Sequence, residues 1–181
     1  MNDSNGNDDG LRLVCRSDRF QPYEPAHRRL RAALADALRQ CSRLDASDGS
    51  AWKRIAADFE QLLTLYAAHQ AAEDDHLHAP LRGLAPRALL AFDSEHADQL
   101  VHIAALRSLL SELASTPNGA EHLVRELELR FSQFLAEGLA HMADEATTLT
   151  RVLWQHFNDA ELRALAAARD AAVACHAASS S

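Results

Sequence analysis

Glycine and proline are scarce in this 181-residue chain, at six and five copies, and nearly all fall between long stretches rich in Ala, Leu, Arg and Glu. That distribution excludes a β-rich fold with closely spaced turns and leaves an all-α reading. Cysteine is equally sparse. Cys15, Cys41 and Cys175 are odd in number and form no Cys-x-x-Cys pair, which argues against a disulfide framework or a thiolate metal knot. Positive charge is in deficit: the net charge is −8, so no basic excess exists to neutralise a phosphate backbone, and nucleic acid is not an expected partner. No long apolar run occurs and the mean hydropathy is −0.25, which argues against a membrane span. The first ten residues are acidic and polar where an export signal would be basic and then apolar, so a cytoplasmic protein is expected. The length suits one domain.

What the chain does have is helical sequence and histidine. Breaks at 45–50, around Gly83 between Pro80 and Pro86, and at 116–119 are short enough to join antiparallel neighbours. They predict four main helices at about 24–44, 51–79, 87–115 and 120–157. The pattern Asn158-Asp159-Ala160-Glu161 resembles a cap with an acidic third position, opening a fifth, Ala-rich helix to about Ala174. The expected architecture is an up-down-up-down four-helix bundle with an additional C-terminal helix. Residues 1–19 form a tail, 20–157 the bundle, and 158–181 the last helix and a second tail. The small apolar face of that last helix would dock on the bundle or on a second copy in a homodimer.

Ten histidines are present, most of them in apolar helical sequence. Steps of three and four trace a seam in the second helix through Trp52, Ile55, Phe59, Leu62, Tyr66, His69, Glu73 and His76. The fourth helix repeats it with Leu127, Phe131, Phe134, Gly138, His141, Glu145, Thr148 and Val152. Both carry His-x-x-x-Glu at core positions. The first helix presents His27, Leu30, Leu34, Ala37, Cys41 and Leu44, and the third Leu89, Phe92, His96, Leu100, Ile103, Leu106, Leu110 and Leu113. In an antiparallel bundle His27, His69, His96 and His141 all lie roughly 26 to 32 Å from the same end, and so share one layer.

Four imidazoles and two carboxylates buried at one level are costly without a compensating charge. A cation supplies it, and a His-plus-carboxylate set suits iron, manganese or zinc better than calcium or magnesium. The ligand count fits two metal ions held by His27, His69, Glu73, His96, His141 and Glu145. The competing reading is a metal-free polar layer that sets helix register in an interaction bundle. A ferritin-like carboxylate bundle needs two Glu-x-x-His motifs, and only Glu73-Asp74-Asp75-His76 has that spacing. His76, one turn beyond Glu73 on the seam, is the candidate for a further ligand. His78, His102, His122, His156 and His176 read as solvated residues or cap partners, and Arg28, Arg29 and Arg31 as a solvated face. Gly138 is out of place inside a helix and makes room for a bulky neighbour, a small exogenous ligand or close helix packing.

The order of these residues, a lone His, His-x-x-x-Glu, a lone His and His-x-x-x-Glu on four successive helices, resembles the hemerythrin-like or HHE cation-binding family over about residues 20–157. The local sequence is similar too: His27-Arg28-Arg29-Leu30-Arg31, His69-Gln70-Ala71-Ala72-Glu73-Asp74, Glu95-His96 and His141-Met142-Ala143-Asp144-Glu145. The resemblance implies a non-haem di-iron centre, its two iron ions bridged by Glu73 and Glu145, with His27 and His69 on one iron and His96 and His141 on the other. Leu100 stands where respiratory hemerythrins carry a fifth histidine, which implies an iron short of one protein ligand, and Glu145 stands where they carry Asp one residue later. The implied role is binding or sensing a small diatomic ligand, oxygen or nitric oxide, or handling iron. A di-iron redox enzyme acting on oxygen, peroxide or nitric oxide is the alternative.

Overall fold

The computed structural model of the chain describes residues 18–43, 49–116 and 121–179. Cys15, most of the N-terminal tail, Leu44 and the side chain of Trp52 lie outside the described residues. Helix α1 spans Glu24–Cys41, with Pro25 in its first turn, where a missing N–H removes no helical hydrogen bond. Helix α2, Gly49–Glu73, continues through a π-turn at Asp74–His78 into the short α3, Ala79–Arg82. Helix α4 starts on Pro86 and runs to Ser115. Helix α5, Glu121–Asp144, likewise passes through a second π-turn, Glu145–Leu149, into α6, Thr150–His156. Helix α7 covers Asp159–Ser179. Its cap is reciprocal: Asn158 Oδ1 accepts the N–H groups of Ala160 and Glu161, and the Glu161 carboxylate accepts that of Asn158. Among the described residues there is no strand, and no helix is long and apolar enough to cross a membrane.

The rods pack in a ring, α1 against α2 and α5, and α4 against α2 and α5. Helix α7 lies outside it, on α2 and the first π-turn. Two apolar cores result. One, with Leu34, Phe59, Leu63, Ile103, Phe131 and Phe134, fills one end. The other, with Tyr23, Leu77, Leu81, Phe92, Leu149 and Leu153, fills the other. The histidine layer separates them: the α2–α3, α4 and α5–α6 rods contribute core residues on both sides of it, and Tyr23, just before α1, joins the second core.

The seams hold up to the layer and change register there. In α4 it is Gln99 that is buried, while Leu100 is 49% exposed, because the step from His96 to Ile103 runs three then four. In the fourth rod the expected Thr148 and Val152 give way to Leu149 and Leu153, which are fully buried, because the π-turn inserts one residue. The same shift in the second rod turns Leu77 and His78 inward and leaves His76 only partly covered.

Gly138 accommodates a bulky neighbour. A Cβ there would lie 2.7 Å from the hydroxyl of Tyr66, which is buried and donates to Gln99 Oε1 at 2.8 Å. Gly138→Ala gains about 1 kcal/mol of helix propensity but meets this fixed hydroxyl, and overpacking a core costs about 1–3 kcal/mol. The expected net result is a loss of about 1 kcal/mol in chemical denaturation. The same substitution in a Tyr66→Phe background should be neutral or stabilising. An equal loss in both backgrounds would place the clash elsewhere.

Candidate metal centre

All six residues singled out by the seams meet in one layer, and each is at least nine-tenths buried. The Glu145 carboxylate lies at the middle: Oε2 is 3.2 Å from His27 Nε2 and 3.4 Å from His141 Nε2, while Oε1 is 3.7 Å from His96 Nε2. Glu73 shares His27 and adds His69, with Oε1 at 3.2 Å from His27 Nε2 and Oε2 at 3.1 Å from His69 Nε2. His96 and His141 approach each other at 2.9 Å through their Nε2 atoms.

A fifth imidazole joins them. His78, fully buried, brings Nε2 to 3.3 Å from Glu145 Oε1 and stacks on His96 with ring centroids 5.3 Å apart. This corrects two expectations. The additional inward histidine is His78 and not His76, and Leu100, half exposed, does not face the layer at all. The cause is the π-turn after Glu73, whose i to i+5 bonding, marked by Ala79 N–H donating to Asp74 O, carries the residue five positions on to the face that an α-helix gives to the fourth. Pro80 is the signal in the sequence. A proline held inside a continuing helix clashes with the turn before it and forces that turn to widen. The second π-turn has a weaker signal in Thr147 and Thr150, whose hydroxyls donate to the carbonyls of Ala143 and Glu145 and compete with regular helical bonding.

Outside this ring of Nε2 atoms stands a layer of carboxylates that the sequence pattern did not single out. Asp74 takes Nδ1 of both His78 and His96 at 3.1 Å, and Glu95 takes Nδ1 of His141 at 2.7 Å. Such contacts fix the orientation of an imidazole and raise the basicity of its other nitrogen. Arg169, fully buried, reaches from α7 to 3.7 Å from Glu73 Oε1, and Tyr23 stacks on His27 with centroids 5.4 Å apart. The remaining histidines stay away from the layer: His102 pairs with Glu137, and His122, His156 and His176 are exposed.

The electrostatics are those of a site short of positive charge, with Arg169 the one guanidinium at its buried glutamates among the described residues. Burial works against protonating His27, His78 and His96, yet the close carboxylates of Glu145, Glu73 and Asp74 outweigh it and raise them to about 9, 9 and 10. Burial likewise opposes charge on Glu145 and Glu73, and the surrounding imidazoles still hold both below the usual carboxylate range. Protons on imidazole thus balance the carboxylates when nothing else does. They do so imperfectly, because both Glu145 oxygens, Glu73 Oε2, His69 Nε2 and His78 Nε2 are buried with no aligned hydrogen-bond partner.

Cations bonded at about 2.0–2.1 Å hold neighbouring donors roughly 3.0–3.4 Å apart, and most of the separations above match that spacing. The groups His27, His69, Glu73 and His96, His141, Glu145 are each compact enough to hold a metal ion, and Asp74, His78 and His96 form a third through the outer ring edges. The buried histidines and glutamates can therefore bind metal. No family model and no curated protein matches this sequence.

Proposed function

We propose that this protein is a hemerythrin-like four-helix bundle that holds two iron ions between Glu73 and Glu145 and binds or senses a small diatomic ligand. One observation carries the reading: five imidazoles direct Nε2 at two buried carboxylates, three of whose four oxygens have no aligned hydrogen-bond partner. His27, His69 and Glu73 would hold one ion, His96, His141 and Glu145 the other, with His78 beside Glu145. Iron in such a donor set supplies redox change and open positions for a small ligand. The protein's part is to fix the donors: Asp74 and Glu95 orient three imidazoles, and the two apolar cores keep bulk water from the layer. The cavity of about 260 Å³ beside His69 has an apolar wall of Ala26, Leu30, Leu65, Val173 and Ala174, with the charged Arg29 and Asp170 also lining it. Its apolar wall is compatible with a small neutral ligand such as oxygen or nitric oxide.

Elemental analysis of protein produced in iron-rich medium should find about two metal ions per chain, since six donors with two carboxylates overfill a single tetrahedral site. Chelation should lower the melting temperature, by an amount that depends on pH. Raised histidines stabilise the metal-free fold below about pH 6.5, and that contribution is lost as pH climbs through 9 to 10. Metal binding must displace the same protons, so it strengthens over the same range. The gap between loaded and chelated protein should therefore widen from pH 6.5 to 9. No metal, together with an unchanged melt after chelation, would leave the register-setting polar layer as the better account.

A further inference from the structure

Arg169 is among the largest fully buried side chains in the protein, and it comes from the helix outside the ring. Its Nη1 donates to the carbonyl of Pro22 at 3.1 Å, and Nε and Nη2 donate to Asp170 Oδ1 at 3.1 and 2.8 Å. Nη1 also lies 3.7 Å from Glu73 Oε1, the same oxygen that faces His27 Nε2. Among the described residues it is the one Arg or Lys paired with either buried glutamate. The guanidinium keeps its charge at any working pH, so it is a fixed positive charge against one half of the centre.

The two halves are dressed in opposite ways. On the Glu145 side, Glu95 and Asp74 place negative charge behind His141, His96 and His78. On the Glu73 side, His27 Nδ1 is buried without a partner, its ring lies against Tyr23, and a guanidinium stands 3.7 Å from Glu73 Oε1. Negative charge behind an imidazole strengthens its hold on a cation, while positive charge beside the carboxylate repels one. Asp170 masks part of the arginine charge from the solvent side, where it also meets Arg29 at 3.7 Å.

We propose that Arg169 is a resident cation of the centre, delivered by α7 so that the His27, His69 and Glu73 group holds a divalent cation more weakly than the His96, His141 and Glu145 group, and the centre fills in two steps. The proposal rests on the metal-binding reading above and assigns the C-terminal helix a role in it beyond packing.

Cobalt(II) titration of the metal-free full chain, followed by calorimetry and by the visible spectrum, tests it. The parent protein should show two steps at least about tenfold apart. Arg169→Met, neutral and of similar length, should tighten the weaker step about tenfold and leave the tighter one within about twofold, whereas Arg169→Lys should stay near the parent. Asp170→Asn keeps the shape of a side chain that is 44% exposed, so it keeps the test open if the core variant does not fold; it unmasks the guanidinium and should weaken the weaker step severalfold. Glu95→Gln should weaken the tighter step alone, by about tenfold. Two equal steps in the parent, or Arg169→Met and Asp170→Asn shifting the weaker step in the same direction, would overturn the role of Arg169 while leaving metal binding intact. A parent that takes up no cobalt would instead refute the metal reading itself.

Discussion

Glu145→Ala is expected to leave the protein unable to retain metal, with affinity lowered by more than about 100-fold, beyond the range seen when only an outer contact is lost. This carboxylate lies within 3.7 Å of four of the five imidazoles, His27, His78, His96 and His141, so its loss unlinks the two halves of the layer. Glu73→Ala should act in the same direction, restricted to His27 and His69. The metal-free fold should suffer as well. Breaking a buried charge pair by removing one partner costs about 3–5 kcal/mol, and Glu145 helps to hold three raised histidines in their charged form. His102→Ala and His122→Ala are the controls, because His102 pairs with exposed Glu137 and His122 is itself exposed. Metal content and urea denaturation of all four variants would show the contrast. Similar losses in all four would mean that the layer is not where cations bind.

The second large effect separates two histidines two residues apart. His78→Ala should reduce metal affinity by about 10- to 100-fold and lower stability, because the imidazole is fully buried between Asp74 and Glu145 and stacked on His96. Removing it strips Asp74 and Glu145 of one partner each and leaves a void beside Phe92. His76→Ala should change stability by no more than about 0.5 kcal/mol, the range for substitutions away from such features. A competition titration with a coloured chelator, run on both variants, decides it. The reverse order would mean that the second rod continues as a regular α-helix past Glu73, with no π-turn.

Much of this centre could be read from the residues. His27, His69, Glu73, His96, His141 and Glu145 interrupt apolar stripes at helical spacing, and a buried ionisable residue in such a stripe is conspicuous because it is unfavourable there. Their common height followed from the positions of the breaks and the rise per residue. His78 was not legible by the same rule. Seam counting assumes 3.6 residues per turn throughout, and each π-turn changes that count at, or one residue after, the Glu of a His-x-x-x-Glu pair. Leu100 failed for a simpler reason: steps of three-four and four-three give the same seam angle within error, and only packing against the neighbouring rods chose Gln99, which accepts hydrogen bonds from Tyr66 and Gln70.

Sequence by itself determined the helical class, the positions of the rods and the six inward-facing donors, because helix propensity, capping and amphipathic spacing act over a few residues and leave a local record. Tertiary structure alone decided the register beyond the layer, the outer carboxylates Asp74 and Glu95, and the arrival of Arg169 from a helix nearly a hundred residues after Glu73. Those depend on which side chains face one another across packed rods. That is fixed by the mutual satisfaction of buried charge over the whole bundle, and no run of neighbouring residues encodes it.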